Sequence, residues 1–337
     1  MANSGAVKIL KEKLGVELRA FPRDIGLCYN DSEHILKMTL LPKAVGLGNG
    51  NAVNMQDNAA AFEAWCFIIK AHTNIKNLKI ILDIDGIFND VYVGGIPLNG
   101  HLGRFLYRIL KFKEQYGAWF SLATVLEDMR KNFAHFLDSS KFVNNEPSQE
   151  AADDEDALGI EGYVEKRFCD DDSLGKLILG FEGKDVVMNR QMPVGLFKDK
   201  KADATAVFTG KKSAIDFWLL YKNELNIYEL KAKNKMVGIL TEIFFYCNYM
   251  RDVYWHNSLE TKQNVKILKP QTTDRSYDKL CNGIKNITQI TGWILADEFH
   301  PHITDAVISI MNNNGIESEL QYGKKQYDLK IDIRVHK

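Results

Sequence analysis

Three charged residues, Asp216, Glu229 and Lys231, fall inside two runs that are otherwise largely apolar, AIDFWLLY and LNIYELK. Side chains on a strand alternate between faces, so Glu229 and Lys231 project together while Tyr228 and Leu230 take the opposite face. The polar break Lys222-Asn223-Glu224 reads as a short hairpin, and pairing across it predicts Asp216 beside Glu229. Two carboxylates on neighbouring strands can hold Mg2+ or Mn2+ through oxygen and leave positions for water and a phosphate oxygen. The metal would polarise a phosphoryl group and lower the pKa of a bound water. Lys231 would orient that water or offset charge developing in the transition state. The chemistry open to such a set is phosphodiester hydrolysis. An E-L-K tripeptide by itself is usually a solvated strand end, so the elements around it decide its meaning.

Those elements follow in a definite order. A helix is expected over Asp156–Phe168, a strand over Val186–Phe197, then the two strands of the hairpin. A long helix over Lys235–Tyr254 carries Ile239, Ile243, Tyr246 and Met250 at helical spacing. A strand over Ile290–Phe299, a helix after Pro301 and a last strand YDLKIDIRV complete the pattern. Together with Asp216 and the Glu229-Leu230-Lys231 triplet, this order resembles the PD-(D/E)XK nuclease superfamily, whose core is a helix, a three-stranded meander, a helix and a further strand. The resemblance spans about half of the chain and implies an α/β fold with a restriction-endonuclease-like core, a mixed central sheet flanked by helices. It implies Asp216 and Glu229 as metal ligands, Lys231 as the catalytic cation, Mg2+ or Mn2+ as cofactor, and nucleic acid, DNA first, as substrate. In that family a helix carboxylate sometimes completes the metal site. Glu165 is placed for that role, with Glu161 one turn earlier on the same face. Glu242 and Tyr246 resemble a Q-x-x-x-Y element with Glu in place of Gln, and Asp216 follows Ile215 where the family often has proline.

The chain has 337 residues, 45% hydrophobic and 26% charged, with a formal net charge of -1. That balance gives no global attraction to a polyanion, so any nucleic-acid site must be local. Five scattered cysteines without a C-x-x-C pair argue against a zinc ribbon or a disulfide framework and fit a reducing cytoplasm. The first residues, MANSGAVKILKEKLG, lack the apolar core of a signal peptide, and no run is long enough to span a bilayer, so a soluble cytoplasmic protein is expected. Polar and acidic residues between Asp138 and Asp156 read as a boundary. The acidic linker at 146–156 divides an N-terminal α/β region, 1–145, from the nuclease-like region, 157–337.

In the N-terminal region, HILKMTLLP and KNLKIILDI read as strands and NAAAFEAWCFIIKAH as a helix. The helix HLGRFLYRILKFKEQYG places Leu102, Phe105, Leu106, Ile109 and Leu110 on a core stripe. Arg104, Arg108 and Lys111 recur opposite that stripe at i, i+4 and i+7, a candidate nucleic-acid-binding row for phosphate contacts. Two rival functions are carried forward. IILDIDGIF resembles the first motif of haloacid-dehalogenase-like phosphotransferases, with Asp83 as nucleophile and Asp85 as acid/base, but with Ile87 where Thr is usual. The other rival is a nuclease-fold binding or assembly module that has lost turnover. A homodimer would help cut both strands of a duplex, although no self-complementary interface is identifiable in the sequence.

Overall fold

Alternation of side chains along one strand organises the region around the three charged residues. In the computed structural model, which describes residues 3–48, 52–86, 88, 91–147, 159–170, 172–208, 213–259, 264–268 and 276–329, the chain is a mixed α/β protein. Its first part runs α1 (Ser4–Leu14), β1 (Ile25–Asn30), β2 (Ile35–Leu40), α2 (Phe62–His72), β3 (Lys79–Ile84), β4 (Tyr92–Val93) and β5 (Ile96–Pro97). It continues through α3 (Gly100–Tyr116), β6 (Phe120–Leu122), α4 (Thr124–Ser139) and β7 (Phe142–Asn144). The second part runs α5 (Ile160–Asp170), α6 (Asp172–Leu179), β8 (Val187–Pro193), β9 (Leu196–Lys198), β10 (Ala206–Phe208), β11 (Ala214–Tyr221) and β12 (Glu224–Lys231). After these come α7 (Ile239–Tyr249), β13 (Val265–Lys266), α8 (Tyr277–Gly283), β14 (Gln289–Ala296), α9 (Asp305–Asn312) and β15 (Leu320–Gln326).

The largest sheet has the order β15-β14-β12-β11-β8. Strands β8, β11 and β12 form an antiparallel meander, and β12, β14 and β15 run parallel. The tight turn between β11 and β12 places Lys222 at φ 52° and pairs Tyr221 with Glu224. On β12, Tyr228 and Leu230 pack with Val164 and Phe168 of α5, while Leu225 and Ile227 face the core shared with α7. Glu229 and Lys231 continue the second face, so the sheet side toward α7 changes from apolar to charged along one strand.

The N-terminal sheet has the order β1-β2-β3-β6, with β2, β3 and β6 parallel. It is not packed apart from the rest. One hydrophobic core includes Leu10 and Phe67 on one side and Ile243 and Met311 on the other. Strand β7 pairs with β9 and β13, so residues before the acidic segment share a small sheet with residues after it. Helix α3 lies so close to β10 that a Cβ on Gly103 would meet the Val207 carbonyl oxygen at 1.7 Å. Most of the expected acidic linker, from 148 onward, falls outside the described residues. No helix among the described residues is long and apolar enough to cross a membrane.

Two expected elements differ. The strand expected over Val186–Phe197 divides at Pro193-Val194-Gly195 into β8 and β9, which belong to different sheets. Proline lacks the amide that a continuing ladder needs. The last strand is Leu320–Gln326 rather than YDLKIDIRV, of which Tyr327–Leu329 lie outside any strand and 330–335 lie outside the described residues.

Candidate active site

The ladder between β11 and β12 pairs Phe217 with Tyr228, and one step further the Asp216 side chain takes over from the backbone. Its Oδ2 accepts the Leu230 amide at 2.7 Å. This draws the carboxyl toward the Glu229–Lys231 end of β12. Lys231 Nζ donates to Glu229 Oε1 at 2.9 Å and to the Leu230 carbonyl at 3.1 Å. It also stands 3.3 Å from Glu242 Oε2 on α7, an ion-pair distance without hydrogen-bond alignment. All four groups, Asp216, Glu229, Lys231 and Glu242, line one cavity of about 770 Å³. The sequence-predicted trio therefore converges.

Burial gives the cluster its chemistry. Glu229 and Lys231 are 2% and 5% exposed, and Asp216 is partly exposed. Desolvation pushes the Asp216 carboxyl up to about 6, against the pull of Lys231 and the Leu230 amide. Desolvation, then the charges of Asp216 and Glu242, hold Glu229 well above the usual carboxylate range. Glu165 rises to about 8 through desolvation and the nearby Asp216 charge. Desolvation opposes the Lys231 charge, but Glu229, Glu242, Asp216 and Glu161 together carry its pKa well above the ordinary value. Several carboxylates crowd around one ammonium, and they cannot all ionise there without further positive charge.

A pH dependence of stability follows. The folded chain keeps the Asp216 proton to about pH 6, whereas an unfolded aspartate releases it near its ordinary value of 3.8. Within that window the folded state binds more protons, so stability falls as pH rises, by up to about 3 kcal/mol from this group. Glu165 carries the loss on toward pH 8. Denaturation midpoints in chelator should therefore drop between pH 4.5 and 8 for the wild type, and drop less for Asp216→Asn. Equal slopes for the two proteins would contradict the crowding.

The residues also bear on a metal. Glu229 Oε2 is buried with no hydrogen-bond donor among the described residues. Among those residues, no three His, Cys, Asp or Glu side chains form a ready ligand cluster. Mg2+ does not need one, because it retains waters and binds through one or two carboxylates plus substrate phosphate. An unpaired carboxylate oxygen beside a partly exposed Asp216 fits that mode of binding.

Glu165 is placed differently from its partners. It is buried, its Oε2 accepts from Gln191 Nε2, and it does not line the cavity. Glu161 does line it, and Glu161 Oε1 accepts the Ala232 amide at 3.3 Å. Of the Q-x-x-x-Y-like pair, Glu242 faces Lys231 and the Tyr246 hydroxyl lies 3.3 Å from Ser213 Oγ.

The basic row on α3 requires correction, because it is not a solvated face. Arg108 is 2% exposed and its guanidinium is paired with the fully buried Glu63. Lys111 Nζ lies 2.7 Å from Asp252 and 3.0 Å from Glu114. Arg108 is committed to a buried carboxylate and Lys111 to two carboxylates nearer the surface, so neither presents a free cation to a phosphate. Arg104 alone of the three lines the cavity that holds Asp216, Glu229 and Lys231. Asp83 is held by Lys37 at 2.6 Å, and neither it nor the exposed Asp85 lines this cavity.

Sequence reasoning missed one wall of the site. Asn54, Met55, Gln56 and His101 come from the N-terminal half, and Gly238 before α7 packs against the Gln56 carbonyl with no room for a Cβ. No local pattern marks these residues, since long-range packing brings them there. Compared with family models, curated proteins and solved structures, the chain finds no match in any of the three. Function is therefore read from the chemistry of the site.

Proposed function

We propose that this chain is a divalent-metal-dependent nuclease of the PD-(D/E)XK kind that hydrolyses phosphodiester bonds, with DNA as its first expected substrate. The observation that carries the reading is the meeting of Asp216, Glu229 and Lys231 in one cavity, with Glu229 Oε2 left unpaired. The order of elements supports it: helix α5, the meander β8-β11-β12, helix α7, and β14 added parallel to β12. Asp216 and Glu229 would hold Mg2+ or Mn2+. When bound, the metal would supply Lewis-acid polarisation and a more acidic water.

The protein's own groups do the remaining work. Lys231, fixed by Glu229 and the Leu230 carbonyl, offers a positioned cation to the attacking water or to charge building on the phosphate. Glu242 holds the ammonium from the α7 side. Gln191 lines the cavity from β8 and orients Glu165 behind it.

Incubating the purified chain with supercoiled plasmid and with labelled single- and double-stranded oligonucleotides tests the reading. Nicking or cutting is expected with Mg2+ or Mn2+ and none in chelator, and Asp216→Asn should lower the rate by at least about 100-fold. Nucleic-acid binding without cleavage in either metal would overturn the nuclease reading in favour of a non-cutting module.

A further inference from the structure

Arg104 is a buried cation with an unspent charge. It is 8% exposed, yet among the described residues no carboxylate lies within ion-pair distance of it. Its one polar side-chain contact is a long one, 3.4 Å from Nη2 to His101 Nδ1. Burial, with Arg108 nearby, outweighs the pull of Tyr246 and Glu242 and depresses its pKa to about 10, so the guanidinium stays charged at neutral pH. Isolated buried charge is costly and is normally paired. The i+4 neighbour Arg108 is paired, whereas Arg104 opens instead into the cavity that holds Asp216, Glu229 and Lys231.

The same cavity receives the start of a long helix. Helix α3 has 17 residues, and Gly100 and His101 of its first turn line the cavity. The Asn99 side chain caps the Leu102 amide, fixing the direction in which the helix begins. A helix N-terminus favours negative charge, and a guanidinium offers a planar fork that matches phosphate oxygens. The opposite wall is acidic and needs a cation, so the cavity is polarised from carboxylates at β11 and β12 to positive charge at α3.

We infer that Arg104 and the first turn of α3 form a phosphate subsite, supplied by the N-terminal half, that grips a phosphodiester of the substrate strand. The identity of the anion as a substrate phosphodiester rests on the nuclease reading. The presence of an anion subsite does not. Arg104 would act in binding and orientation, holding the strand so that one phosphate faces Lys231.

Inorganic phosphate is the probe, added to the metal-free chain at constant ionic strength, with thermal melting as the readout and Arg104→Met as the variant. Methionine nearly preserves side-chain bulk and removes the charge. The expected result is a saturable rise in the melting temperature of wild type and of Asp216→Asn, weakened at least about tenfold in apparent affinity in Arg104→Met. Without phosphate, Arg104→Met should melt at or above the wild-type temperature, because it removes a buried charge that has no ion-pair partner among the described residues. If Arg104→Met melts well below wild type, the guanidinium is a structural group and the subsite is refuted. An unchanged phosphate response in Arg104→Met refutes it equally. In cleavage assays the variant should raise KM by roughly tenfold or more with a smaller change in kcat. A chain that never cuts nucleic acid but keeps an Arg104-dependent phosphate response would sink the nuclease reading and leave the anion subsite standing.

Discussion

Lys231→Ala is expected to reduce cleavage by at least about 1,000-fold, because in the proposed reaction it removes the ammonium set against the phosphate. The structure also predicts a second consequence that separates chemistry from folding. Lys231 is the counter-charge to Glu229 and Glu242, both less than one-tenth exposed. Removing one partner of a buried pair typically costs about 3–5 kcal/mol, since the remaining charges stay desolvated. The variant should therefore melt several degrees lower in chelator. Added Mg2+ should recover part of that loss by binding the folded state, yet turnover should not return. Lys231→Met separates lost volume from lost charge, and it should be as inactive as alanine. Turnover within about tenfold of wild type in both variants would exclude the ammonium from the chemistry.

What the sequence made legible was whatever depends on near neighbours. The alternation in LNIYELK placed Glu229 and Lys231 on one face, and the polar break after AIDFWLLY marked the hairpin that brings Asp216 to them. The long apolar helix was equally readable, and α7 occupies Ile239–Tyr249 before continuing as a π-helical segment over Met250–His256. The last strand was not readable by the same rule. LQYGKKQ carries few apolar residues because β15 is an edge strand, while YDLKIDIRV, just downstream, has the more regular alternation. The N-terminal wall of the cavity was invisible for another reason. Asn54, Gln56 and His101 have no pattern of their own, and their role depends on contacts with residues more than a hundred positions away.

The basic row of α3 shows where a periodicity argument fails. A polar face at i, i+4 and i+7 normally points to water. On α3 the face turns inward, because α2 and the π-helical segment meet it with the carboxylates of Glu63 and Asp252, and α7 adds the Thr241 hydroxyl that donates to Glu63. Nothing within α3 announces this. The signal lay in Glu63, an acid inside the apolar run FEAWCFII, which would have to be paired if that helix were buried all round. Two apparently separate oddities, a buried glutamate and a surplus arginine, are one feature.

Disrupting that feature should produce the largest loss of stability. Arg108 Nε donates to Glu63 Oε1 at 2.6 Å, its Nη2 also bonds Glu63 Oε2 and reaches the Ala60 carbonyl at 2.8 Å, and Thr241 Oγ1 donates to Glu63 from α7 at 3.1 Å. The guanidinium carbon lies 5.0 Å from the Phe62 ring centre. Helices α2, α3 and α7 thus share one desolvated, fully bonded cluster. Glu63→Ala or Arg108→Ala leaves the opposite charge buried and unpaired, and each should cost about 3–5 kcal/mol and lower the melting temperature by roughly 10 °C. The double replacement Glu63→Leu with Arg108→Met should be far milder than either charge-stranding variant, because no charge remains to be solvated. Denaturant midpoints of wild type, Glu63→Leu, Arg108→Met and the double replacement complete a double-mutant cycle, and additive losses would show that the two side chains contribute independently. Cleavage should follow the same order even though neither residue touches the proposed substrate phosphate, since α3 carries Arg104 one turn before Arg108 and both halves of the cavity depend on where that helix sits.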